Sequence, residues 1–119
     1  MSSPRSSRAT AELTAELKDS APLFAALGDH TRLRLVTRLC DGGPACIVRL
    51  TEGSNVTRQA ITKHLRVMED AGLVRSARRG RETVWQLEQQ RLEDARHYLD
   101  LIAAQWDGAL ARLSEFVED

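Results

Sequence analysis

The 119-residue sequence has no net charge, no long apolar run and only two cysteines, and each of these lacks excludes something. Seventeen basic residues balance 17 acidic ones, so the chain as a whole is not the strongly basic kind that holds nucleic acid by bulk charge. No stretch approaches the roughly 20 apolar residues of a membrane helix, and no membrane partner is expected. The start, MSSPRSSR, carries no apolar signal core; the expectation is a short disordered tail over residues 1–9 of a cytoplasmic protein. His30, His64 and His97 fall on separate expected helices. With no paired nucleophile and base and no phosphate loop, the chain reads as no enzyme and implies no cofactor.

What is present is 42% hydrophobic and 29% charged residues, the balance of one globular domain, placed at residues 10–118 around a single core. The charge is unevenly spread. From Val56 to Thr83 seven Arg or Lys stand against three acids, whereas from Glu88 to Asp119 three arginines face eight acids. That asymmetry points one basic surface at an anionic partner and an acidic segment away from it.

The centre of the basic stretch, TRQAITKHLRVMEDAG, has helical periodicity. Ala60, Ile61, His64, Leu65, Val67, Met68 and Ala71 share one half of the wheel, and Arg58, Gln59, Thr62, Lys63, Arg66, Glu69 and Asp70 the other. Thr57 is the expected cap and Gly72 the expected stop. The polar half offers Arg, Gln, Thr, Lys and Arg before any acid, side chains that grip phosphates and base edges. Gln59, Thr62 and Lys63 are the expected base readers and Arg58 and Arg66 the phosphate holders. His64, in the apolar half, reads as a packed residue bonded to a backbone group.

Upstream, one helix is expected over about Thr10 to Asp19, with Thr10 as its cap, and a second from Ser20 to the stop at Gly28. Asp29 caps a third, His30 to about Cys40, with Leu33, Val36, Leu39 and Cys40 inward and Arg32, Arg34 and Arg38 solvated. After the break Asp41-Gly42-Gly43-Pro44, residues from about Ala45 to Glu52 read as a short helix. Gly53-Ser54-Asn55 follows as a tight turn with Asn55 in the left-handed conformation. A short helix, a turn and a helix with a basic outer face is the arrangement of a helix-turn-helix.

Downstream, Leu73 to Ala77 and Glu82 to Leu87 read as two strands, with Thr83, Trp85 and Leu87 alternating. Arg78, Arg79, Gly80 and Arg81 form a basic hairpin tip between them, the wing of a winged helix. The last segment, about Arg91 to Val117, is a long helix. Leu92, Leu99, Trp106 and Leu113 recur every seven residues, with Ala95, Ile102, Ala109 and Phe116 three behind each. Together with Leu13 and Leu17 of the first helix this apolar seam is the expected interface of a symmetric dimer. The fold class is thus mainly α with a small β-hairpin.

In this order the residues resemble the arsenical-resistance-repressor (ArsR) family of winged helix-turn-helix transcriptional regulators. LFAALGDHTRLRLVTRL is similar to its opening pattern, VTRQAITKHLRVMEDAGLV to its recognition helix with the run into the wing, and GRETVWQL to the wing's return strand. The resemblance covers about residues 10 to 117 and implies a homodimeric repressor that binds a palindromic operator in double-stranded DNA and lets go on meeting an effector. Two departures bear on that effector. Where soft-metal sensors of the family carry Cys-Val-Cys-Asp-Leu, this chain has Cys46, Ile47, Val48, Arg49 and Leu50, which cannot supply a thiolate pair. The zinc pattern of the last helix is reduced to His97 with Glu93 and Asp100. No metal site is expected, and the effector is unassigned. Cys40 and Cys46 flank the Asp-Gly-Gly-Pro turn; they read as small buried hydrophobes, with a thiol switch as the sharper alternative. A protein-interaction module working through the acidic last helix, without specific DNA binding, is the alternative function.

Overall fold

The computed structural model describes the backbone of residues 4–118. Helix α1 spans Pro4–Leu27, α2 His30–Gly42, strand β1 Ala45–Cys46, α3 Ile47–Thr51 and α4 Arg58–Asp70; strands β2 and β3 span Val74–Arg79 and Glu82–Leu87, and α5 spans Gln89–Glu118. The sheet is antiparallel throughout, in the order β1-β3-β2. Leu23, Leu35, Leu39, Leu50, Ile61, Leu65, Met68, Leu73, Val74 and Trp85 are buried between α1 to α4 and the inner face of that sheet. Helix α5 runs back along α1, and Phe24 meets Tyr98 there with ring centroids 5.7 Å apart.

Where two helices were expected before Gly28 there is one, 24 residues long, and Thr10 lies inside it, its carbonyl accepting from the Thr14 hydroxyl at 2.9 Å. Pro22 does not break it, because its ring faces solvent and the hydrogen bond it cannot donate is left on the wet side. Leu23 and Ala26 beside it are buried. The helix starts at Pro4, within the expected tail, where a proline's fixed φ suits a first helical position. Residues 1–3 of that tail lie outside the described residues.

The expected helix from Ala45 to Glu52 is divided. Ala45 and Cys46 pair with Trp85 and Val84 as β1, since the extended backbone that follows Gly43 (φ 74°) and Pro44 feeds a strand before it can turn into α3. The turn into α4 takes its left-handed residue at Gly53 (φ 70°) and not at Asn55, where a Cβ would be strained. Leu33, Cys40 and Val67, expected inward, are exposed. Leu33 and Val67 lie two residues from the buried Leu35 and Leu65, about 200° round their helices, so the core cannot take both.

Two arginines expected in solvent, or not singled out at all, hold the helices together. Arg32 donates to the Ala25 and Ala26 carbonyls at the end of α1 and lies 3.3 Å from His64 Nδ1 on α4. Arg91 donates to Ala71 O at the end of α4, to Asp19 on α1 and to Asp94 on its own helix. Arg38 likewise leaves solvent to donate to the Arg49 and Leu50 carbonyls of α3.

Candidate nucleic-acid interface

Helix α4 starts where Thr57 accepts from Ala60 N at 3.1 Å. It ends with Leu73 N donating to Met68 O and Gly72 N to Glu69 O, the paired bonds of a Schellman motif, with Gly72 at φ 78°. Ile61, Leu65 and Met68 bury its inner face. Arg58, Gln59, Lys63 and Arg66 are exposed, and Thr62 is half-buried with its hydroxyl donating to Arg58 O. That hydroxyl can therefore only accept from a base edge.

His64 does not bond a backbone group. It is half-buried against α2, where its Nδ1 faces Arg32 and lies 3.8 Å from Asp29 Oδ2. Asp29 is the cap of α2, accepting from Arg32 N at 3.0 Å, and that backbone N–H, followed by the Arg32 charge, holds its carboxyl below the usual range.

The wing is a hairpin whose last paired residues are Arg79 and Glu82, leaving Gly80 and Arg81 as a two-residue turn. Gly80 takes φ 63°, as the first central residue of a type II′ turn does. Strand alternation sorts the arginines. Val74, Ser76 and Arg78 share the face that carries buried Trp85 and looks toward α4, while Arg75 and Arg79 lie on the other. Arg75 is spent on Glu88, 2.8 Å away. Arg78, Arg79 and Arg81 are exposed and, among the described residues, unpaired.

Helix and wing are bridged. Glu69 accepts from the Ser76 hydroxyl at 2.7 Å and from Arg66 at 2.8 Å, and these donors, Ser76 first, keep its carboxyl below its usual range. Arg66 in turn lies 5.0 Å from the centroid of Trp85. Sequence reasoning read Glu69 as one acid on a polar face; no spacing rule connects it to a serine seven residues on, across a helix end.

Of the expected interface residues, Leu17, Leu99, Ile102, Trp106, Leu113 and Phe116 are exposed, Phe116 by 81%. Leu13 is half-buried, and Leu92 packs against the chain's own core. Cys40 is exposed at the end of α2 and Cys46 half-buried in β1. Among the described residues no group of three or more His, Cys, Asp or Glu side chains is placed to hold a metal, and no helix is long and apolar enough to cross a membrane.

A short helix, a turn, a capped helix with a cationic outer face and a hairpin tied to its flank make a winged helix-turn-helix, a DNA-binding class. Residues 29–76 match the family described as "Bacterial regulatory protein, arsR family". The HTH-type transcriptional regulator YuzN of Bacillus subtilis is 43% identical over 68 residues, 52% of this chain and 74% of YuzN. The arsenical resistance operon repressor of the same organism is 37% identical over 57 residues, 48% of this chain and 54% of the repressor. The solved ArsR-like transcriptional regulator from Rhodococcus sp. RHA1 superposes with a TM-score of 0.73 at 34% identity, covering 83% of this chain and 92% of that one. The chain belongs to the ArsR family of bacterial regulatory proteins, and it is a DNA-binding transcriptional regulator.

Proposed function

We propose that the protein is a cytoplasmic homodimeric repressor that holds a palindromic operator through α4 and the wing, acts by binding and not by catalysis, and releases DNA on meeting an effector. One observation carries the proposal: the cationic surface of α4 and the wing tip is distinct from the exposed apolar surface of α1 and α5. Leu17, Leu99, Ile102 and Trp106 leave open apolar grooves between those two helices, and contiguous exposed apolar surface of this kind marks a contact site. A second copy closing them makes a two-fold molecule with two recognition helices, which suits half-sites about 34 Å apart. Gln59 and Lys63, one turn apart on the outer face of α4, then read bases, and Arg58 with the wing arginines holds phosphates. Repression is the role named for the Bacillus subtilis arsenical relative.

The test is fluorescence anisotropy with the DNA upstream of the protein's own gene against a random duplex of equal length, alongside sedimentation of the free protein. Tighter binding to the upstream fragment by a dimer is expected. Equal affinity for both duplexes would refute specific regulation.

A further inference from the structure

Glu69 sits where a carboxylate is doubly disfavoured. It lies in the last turn of α4, where the helix dipole repels anions, and on the polar half of the helix that must approach phosphates. Both of its oxygens are nevertheless engaged, Oε2 by the Ser76 hydroxyl and Oε1 by Arg66. Ser76 and Trp85 are cross-strand partners, so Glu69 grips β2 directly, and Arg66, over the Trp85 ring, touches β3. The result is a closed circuit from helix to both strands and back.

We propose that Glu69 is a positioning residue for DNA binding: it locks the inner face of the wing to the recognition helix and thereby sets where Arg78 meets the DNA backbone. Arg78 is the next residue beyond Ser76 on that face, about 6.7 Å further along β2. Fixing Ser76 against α4 therefore fixes the origin of the Arg78 side chain relative to Gln59 and Lys63. The charge of Glu69 is met by Arg66 within the circuit, so the lock does not present an open anion to the phosphates. This rests on the reading of α4 and the wing as the DNA surface.

The experiment is a double-mutant cycle in the full chain, with anisotropy on the upstream fragment as readout. On charge alone, Glu69→Ala should tighten DNA binding, because it removes an anion from a surface that faces anions. The lock predicts the opposite sign: a loss of roughly tenfold as the Arg78 phosphate contact in each half of the dimer is misplaced, with Ser76→Ala losing affinity in the same direction. It also predicts that Arg78→Ala costs less in the Glu69→Ala background than in the parent, by a coupling factor of at least about threefold. Glu69→Gln, which still accepts from Ser76, recovers part of the loss. Unchanged or tighter binding by Glu69→Ala, or additivity with Arg78→Ala, overturns the proposal. If the parent itself shows no preference for the upstream fragment, the operator reading fails separately, and the same cycle on random duplex at low salt still reads the lock, since phosphate contacts are independent of sequence.

Discussion

Replacing Arg78, Arg79 and Arg81 together by alanine should flatten the salt dependence of operator binding, and the structure sets by how much. Among the described residues Arg58 and Lys63 on α4 and these three on the wing are exposed without an ionic partner, whereas Arg66 is paired with Glu69 and Arg75 with Glu88. Arg78 and Arg79 lie on opposite faces of β2, so one wing brings two of its three arginines to a phosphate backbone. With Arg58 and two wing arginines in each protomer, and Lys63 left to a base, a dimer neutralises about six phosphates, and log K falls against log salt with a slope of about −5.4. Without the wing arginines about two contacts remain and the slope is about −1.8. Between 50 and 200 mM salt the parent would lose about 10³ in affinity and the variant about tenfold. Anisotropy titrations at five salt concentrations read both slopes, and a variant slope within about one unit of the parent's would refute the wing's contact with the backbone.

Thr57→Ala removes the bond from Ala60 N that caps α4 and should cost about 1 kcal/mol of stability, read as a lower urea midpoint at unchanged slope. Leu99→Glu with Ile102→Glu alters only exposed α5 side chains; a monomer by sedimentation and operator binding weakened by about a hundredfold or more are expected as bivalency is lost, and a variant that stays dimeric contradicts the α1/α5 interface. The carboxyls of Asp29, Glu69 and Asp94 are held below their ordinary values of 3.8, 4.5 and 3.8, chiefly by Arg32 N–H, Ser76 and Gln90 respectively. Lowered folded-state values mean that the unfolded chain takes up protons first, so their contribution is complete above about pH 5 and is lost as pH falls through 4.5 and below; Asp29→Asn should weaken that decline in denaturant midpoints, and an equal decline excludes Asp29. If Cys40 and Cys46 form a thiol switch, the parent releases operator under peroxide and the Cys40→Ser, Cys46→Ser double variant does not; equal release ends that idea.

Periodicity made α4, the wing strands and α5 legible, because apolar residues record the buried face of α4 and the sheet and, on α5, a regular seam that the single chain leaves exposed. Caps made the starts of α2 and α4 legible, since Asp29 and Thr57 accept the bonds their positions call for. What escaped was set by contacts remote in sequence. Ala45 and Cys46 are a strand because β3 offers an edge about 40 residues later, and Pro22 is tolerated because its side of α1 is wet. In the site, the polar half of α4 showed which residues face outward, but not that Arg66 is paired back to Glu69 and Trp85. The joints through Arg32 and Arg91 were illegible for the same reason: a long cationic side chain that reaches carbonyls on other helices leaves no periodic trace.

The unbroken α1 acts as a lever. Its 24 residues span about 36 Å, and at its end the guanidinium of Arg32 ties it to the recognition helix, holding the Ala25 and Ala26 carbonyls on one side and facing His64 on the other. Tilting that rod by about 3° around its far end carries Leu27 through about 2 Å, the scale of helix shift that separates the states of allosteric interfaces. A tilt of α1 as one body would thus be felt at α4 through that guanidinium. Had Pro22 divided α1 into two hinged pieces, the tilt would have been absorbed at the hinge.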